Sequence, residues 1–208
     1  MIASIHLRKT LAVMAMALLS GCAAISAVSD AATPLDVFEL RAPDSIAATS
    51  ARPRAIDVIV EIPTTSGALA TDRIMIRPNA LQAQYLPEVR WSEPTPVMVQ
   101  TLMLRSIEAM GAVRYVGRKP LGVSGDFALV TEVIDFQADV VPGTDTANVQ
   151  ITLLVRVVRE RDASIVASRR FTASALSPTT ETLAVIDAFS AASDQVFADF
   201  AAWVGSTL

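Results

Sequence analysis

Residues 148–159 carry Val149, Ile151, Leu153, Val155 and Val157 at every second position, with Gln150, Thr152 and Arg156 among the residues between them. Side chains alternate across a strand with a period of two, so this run is a β-strand with one buried face. It requires partners, because a lone strand leaves its backbone N–H and C=O groups unpaired. The flanking sequence supplies them. Residues 127–140 form a long apolar-rich run of uneven alternation, Pro142-Gly143 turns the chain, and Arg161-Asp162-Ala163-Ser164 turns it again into residues 165–175. The expected unit is an antiparallel meander.

Shorter strands come earlier, over 35–40, 56–62 (Val58, Val60 and Ile62 on one face), 72–77 (Ile74 and Ile76 on one face) and 113–116. Two segments have helical spacing. Thr95-Pro96 offers a side-chain cap and a first-turn proline for a helix to about Met110, with Gly111 as its stop and Val99, Leu102, Met103 and Met110 on its buried face. Ser177-Pro178 opens the second, in which Leu183, Ile186, Phe189, Val196, Phe197, Phe200 and Trp203 recur along one stripe. Strands and helices do not alternate as in a doubly wound fold. The class is therefore α+β: a single domain over residues 35–208, with a mostly antiparallel β-sheet and two main helices packed against it.

The first residues are of another kind. His6, Arg8 and Lys9 precede an apolar run from Leu11 to Leu19 that ends in Leu19-Ser20-Gly21-Cys22. Crossing a bilayer as a helix takes roughly 20 apolar residues, and this run has nine, so a removable signal fits better than a membrane span. The ending resembles the lipobox of bacterial lipoproteins, in which the cysteine receives a diacylglycerol before cleavage on its amino side. That resemblance makes residues 1–21 a signal peptide, Cys22 the lipidated first residue of the mature chain, and residues 22–34 a tether. The competing reading is an ordinary secretory signal with a chance cysteine beside its cleavage site. Uniqueness speaks against it: Cys22 is the only cysteine, so no intramolecular disulfide explains it. Ala23 follows, and in the lipoproteins this resembles the absence of aspartate there implies sorting to the outer membrane.

Without Arg8 and Lys9 the mature chain has 15 Lys+Arg against 21 Asp+Glu, a net of −6. An acidic chain of this kind argues against nucleic acid as a partner, and its overall balance gives no reason to expect attraction to anionic headgroups. Catalytic chemistry is restricted further. The only histidine, His6, lies in the signal, so imidazole-dependent triads and zinc or copper sites built on imidazole or thiolate are excluded from the mature protein. Gly122 and Gly125 flank Val123-Ser124 without a phosphate loop's Lys-Ser/Thr ending. Asp135 with Asp139, or Glu132 with Asp139, remain as carboxylate pairs. Asp135 and Asp139 are four apart on one strand, hence about 13 Å apart, wider than the roughly 5 to 9.5 Å of glycosidase pairs. A solvated strand face is the simpler reading, and no cofactor is expected beyond the lipid on Cys22.

The run Asp72-Arg73-Ile74-Met75-Ile76-Arg77, then Tyr85, then Arg90-Trp91-Ser92-Glu93-Pro94 and a helix ending at Ala109-Met110-Gly111, resembles the ABC-type transport auxiliary lipoproteins, the group of paraquat-inducible protein C. Leu86-Pro87-Glu88 departs from that pattern, where smaller residues are expected. The resemblance implies a non-catalytic outer-membrane subunit facing the periplasm. Its expected partners are an MCE-domain protein and, through it, an inner-membrane ABC permease and ATPase moving lipid or another hydrophobic compound; self-association stays open. Arg73, Tyr85, Arg90 and Trp91 are the expected partner-binding or structural residues, the bland role of the two aromatics being to pack over the sheet. A lipid-binding carrier is the second reading and requires an apolar cavity; a carboxylate enzyme is the third and requires converging acids in a cleft.

Overall fold

A computed structural model describes residues 34–49 and 52–208. The signal, Cys22 and nearly all of the tether lie outside the described residues. Residues 36–208 form one compact unit. In chain order it contains β1 (Asp36–Phe38), β2 (Arg54–Val60), β3 (Thr64–Thr65), β4 (Met75–Asn79), β5 (Gln82–Tyr85) and β6 (Val89–Trp91). There follow α1 (Thr95–Met110), β7 (Val113–Gly117), β8 (Phe127–Val140), β9 (Ala147–Arg159), β10 (Ser164–Ser177) and α2 (Thr182–Thr207).

The meander is present: β8, β9 and β10 pair antiparallel over nearly their whole length. The other edge of β8 is different. Three short strands meet it one after another, all parallel: β2 through Val60 opposite Leu129, β3 through Thr64 opposite Glu132, and β4 through Ile76 opposite Ala138. β7 pairs parallel to β2, and β5 closes an antiparallel hairpin on β4. The eight-stranded sheet is thus mixed, a correction to the mostly antiparallel expectation. The cause is that α1 lies between β2 and β7 in the chain, and a crossover of this kind returns the chain parallel.

The uneven alternation of β8 has a physical origin in a β-bulge. Val133 faces Leu153 and Asp135 faces Thr152, so Ile134 is an extra residue. Before it Leu129, Thr131 and Val133 point into the core; after it Phe136 and Ala138 do. α2 covers β9 and β10 on that face, and α1 packs on α2, β2 and β7. Phe189, Val196, Phe197 and Phe200 of α2 are buried, as are Val99, Leu102, Met103 and Met110 of α1, while Leu183 is exposed.

Both helix starts differ from the sequence expectation. Thr95 is not a cap, because its hydroxyl donates to the carbonyl of Thr71 at 3.2 Å and Pro94 takes the capping position. Ser177 ends β10 rather than opening α2, and its hydroxyl turns onto the carbonyl of Thr179 at 2.6 Å. Gly111 does stop α1, with φ of 63°, a left-handed conformation that an L side chain adopts only at a cost.

Candidate functional site

The four motif residues form a brace around β6. Trp91 is 1 % exposed. Its indole meets Phe189 of α2 edge-on at 5.3 Å and Phe136 of β8 edge-on at 6.2 Å. Its backbone N–H donates to the carbonyl of Asp72 at 2.7 Å, and the neighbouring guanidinium of Arg90 reaches the carboxylate of Asp72 at 3.2 Å. Asp72 is therefore held twice by β6, through its backbone and its side chain. The next residue, Arg73, donates to the carbonyl of Leu86 at 3.2 Å and lies 5.8 Å from the centre of the Tyr85 ring, a cation–π distance. The phenol of Tyr85 donates to the carbonyl of Ala68 at 3.0 Å, and its ring stays partly open to solvent.

This brace also receives the incoming chain. β1 pairs parallel to β6, with Phe38 opposite Trp91, and the Asp36 N–H donates to the carbonyl of Glu88 at 2.9 Å. Glu88 belongs to the tripeptide that departs from the family pattern, and it has φ of 58°. That left-handed residue turns the chain from β5 into β6, while Leu86 beside it is buried. Residues 39–49 then pass over the helices: Leu40 is buried, and the Thr49 N–H donates to the carbonyl of Met110 at 2.9 Å. Thr71 accepts both the N–H and the hydroxyl of Thr95, so the brace fixes the start of α1 as well.

Asp135 and Asp139 share the outer face of β8, each engaged by a neighbouring amide. Both oxygens of Asp135 accept amide hydrogens, from Gln137 and from Gln150, each at 3.2 Å. Burial pushes the carboxyl of Asp139 up, opposed by the Gln137 amide and the positive charge of Arg77. Glu132 is exposed on the same outer face. Asp135 and Asp139, but not Glu132, line an open cleft of about 430 Å³ with Arg77, Asn79 and Gln150. At the other end of the sheet, a hydrogen bond from Arg114 at 2.8 Å holds the Asp57 carboxyl below its ordinary value. Among the described residues, no three histidine, cysteine or acidic side chains are grouped to hold a metal, and no helix is long and apolar enough to cross a membrane.

The fold brings Arg73, Tyr85, Arg90 and Trp91 together around β6. Asp72 heads the same run in the sequence, whereas Phe136 and Phe189, the supports of Trp91, lie on distant elements that no local pattern ties to it.

Comparison with known proteins finds the same fold elsewhere. Protein XCC0632 from Xanthomonas campestris, of the family DUF330, superposes with a TM-score of 0.72 at 26 % identity, covering 82 % of this chain and 95 % of its own. An uncharacterised protein superposes with a TM-score of 0.60 at 13 % identity, covering 83 % and 99 %. No curated protein matches the sequence. The profile of the ABC-type transport auxiliary lipoprotein component matches residues 38–201, from the last residue of β1 to a point within α2, and the chain belongs to that family.

Proposed function

We propose that this chain is a non-catalytic, lipid-anchored subunit of an ABC-type transport system, held at the outer membrane through Cys22 and docking a periplasmic MCE-domain protein. The observation that carries the proposal is the family match over residues 38–201 together with the brace around Trp91. Membership makes the chain an auxiliary transport component; the MCE partner, the outer membrane and the hydrophobic cargo are the finer reading. The brace supports it mechanically, because the first strand after the expected tether is laid against Trp91 and so a pull on the anchor is passed to the core through β6, α2 and β8.

A docking role fits the clefts better than a carrier role. A lipid carrier needs an apolar cavity of several hundred Å³. The cleft of about 490 Å³ beside α2 is lined instead by Glu39, Arg41, Asp44, Ser45, Ser190 and Asp194. The test is twofold. Cys22→Ser should move the protein from the membrane to the soluble periplasmic fraction with its fold unchanged, and crosslinking in whole cells through Tyr85 should recover an MCE-domain protein. Continued membrane attachment of the variant after a high-salt wash, which releases electrostatic contacts but not an acyl anchor, would remove the anchor, and crosslinks to other proteins alone would remove the partner.

A further inference from the structure

The acidic balance of the whole chain conceals an end of opposite sign. β2 begins, β7 lies, β8 begins and β9 turns into β10 at the same end of the sheet, since Phe127 is opposite both Val58 and Arg159. Residues 52–57, 113–126 and 159–164 make up this end. They hold seven cations (Arg52, Arg54, Arg114, Arg118, Lys119, Arg159, Arg161) and four carboxylates (Asp57, Asp126, Glu160, Asp162), a net of +3 in a mature chain of −6.

The carboxylates are committed to internal bonds. Asp57 takes Arg114, Asp126 accepts the Asp57 N–H, Glu160 accepts the Gly125 N–H, and Asp162 accepts both donors of Ser164 besides facing Arg159 and Arg161. Arg118 and Lys119 are exposed, Arg118 giving one hydrogen bond to the hydroxyl of Thr101. Directly after them the loop 118–126 lifts two aliphatic side chains into solvent: Leu121 is 74 % exposed and Val123 103 %. The loop is pinned at its base, where a Cβ on Gly125 would lie 2.7 Å from the Ile59 side chain, so these residues stand on a fixed foot. Ile165 and Val166 are exposed at the same end, beside the β9–β10 turn, where a bulge displaces Val166.

We infer that this end is a contact site for an anionic lipid surface, with Leu121 and Val123 entering the acyl boundary and Arg118 and Lys119 meeting the headgroups. Charge complementarity selects an anionic occupant, and protruding aliphatic tips on a Pro/Gly loop fit a deformable apolar medium better than a rigid protein face. The site is separate from Cys22 and from the brace, so it stands or falls independently of the docking role. It adds a second, reversible membrane contact to a single covalent one. The tether allows this: residues 22–35 reach at most about 50 Å extended, comparable with the roughly 45 Å length of a fourteen-residue strand such as β10, so the domain can lie along the membrane that holds its lipid.

The experiment uses the mature chain with Cys22→Ser, which removes the acyl contribution, and sedimentation with vesicles. Vesicles of mixed phosphatidylglycerol and phosphatidylcholine should bind it about tenfold or more tightly than phosphatidylcholine alone, since each cation near an anionic surface contributes about a fivefold gain. The double change Leu121→Asp, Val123→Asp should lower binding about tenfold, and Arg118→Gln, Lys119→Gln should remove most of the anionic preference, with thermal midpoints unchanged because all four side chains are exposed. Equal binding to both vesicles, or variants that bind as tightly as the parent, would overturn the proposal. Competition by free inorganic phosphate would assign the cations to a soluble anion and overturn it too. So would unchanged vesicle binding of the variants alongside lost assembly of the transport complex, which would assign the loop to an acidic protein.

Discussion

Trp91 and Phe189 meet edge-on at 5.3 Å with an interplanar angle of 84°, joining the strand that receives the incoming chain to the terminal helix. Phe136 stacks on Phe189 at 5.5 Å and completes the cluster beneath β6. Removing the indole leaves a cavity that three secondary-structure elements would have to collapse into. Trp91→Ala should therefore destabilise the domain by about 3 to 5 kcal/mol, and Trp91→Phe by less. Chemical denaturation measures both; a loss below about 1 kcal/mol for the alanine variant would show that the cluster relaxes and is not the anchor of β6.

Arg90 has a different character from its neighbour. Its ion pair with Asp72 spans 3.2 Å with both side chains more than a third exposed, and such pairs contribute only about 0 to 1 kcal/mol. Arg90→Gln should leave the denaturation midpoint nearly unchanged. A partner contact through Arg90 would appear as weakened crosslinking to the transport assembly at full stability. Unchanged stability and unchanged crosslinking together would assign the residue a purely local bracing role.

The bulge at Ile134 invites a sharper test. Ile134 is the extra residue, so deleting it would leave a single residue between Val133 and Phe136 and let β8 alternate simply, with an unbroken register against β9. Phe136 and Ala138 would still face the core, and Asp135, still opposite Thr152, would keep to the outer face. The deletion therefore removes the local bend without turning any core side chain to solvent. The deletion variant should keep a cooperative thermal transition, as should Ile134→Ala; loss of the transition in the deletion variant alone would show that the bend of β8 at the bulge is itself required.

How far the fold was legible follows from these same residues. β9 alternates over thirteen residues and β10 from Phe171 to Ser177, long enough for period two to stand out. β3, with two residues, and β6, with three, have no period to read, and their parallel pairing with distant strands is decided by tertiary contacts alone. The bulge hid half of β8's core face because its alternation changes phase within one strand. Ser177-Pro178 carries the chemistry of a helix start, yet β10 keeps pairing through Ser177 opposite Ala147, and the cross-strand bonds outweigh the capping preference. At the candidate site, the large aromatics and arginines announced themselves by type. Which of them face the core depends on Phe189, far along the chain, and no local pattern records that. The basic end was invisible to composition because its seven cations come from three separate segments of an acidic chain.

Asp139 gives the fold a pH signature of definite sign. Its carboxyl is raised mainly by burial, with the Gln137 amide and Arg77 only partly offsetting the cost of ionising it. A carboxyl raised in the folded state binds protons more tightly folded than unfolded, so its penalty is fully present above the folded value and disappears as pH falls below the unfolded value near 4. Asp139→Asn should therefore stabilise the domain at pH 7, by about 0.5 kcal/mol or less once solvent screening of this partly exposed group is allowed for, and the gain should vanish in acid. Thermal midpoints of parent and variant across this range decide the matter. A variant less stable at neutral pH would mean that the attraction to Arg77 outweighs burial, and that the cleft between β4 and β8 is held together by the charge it contains.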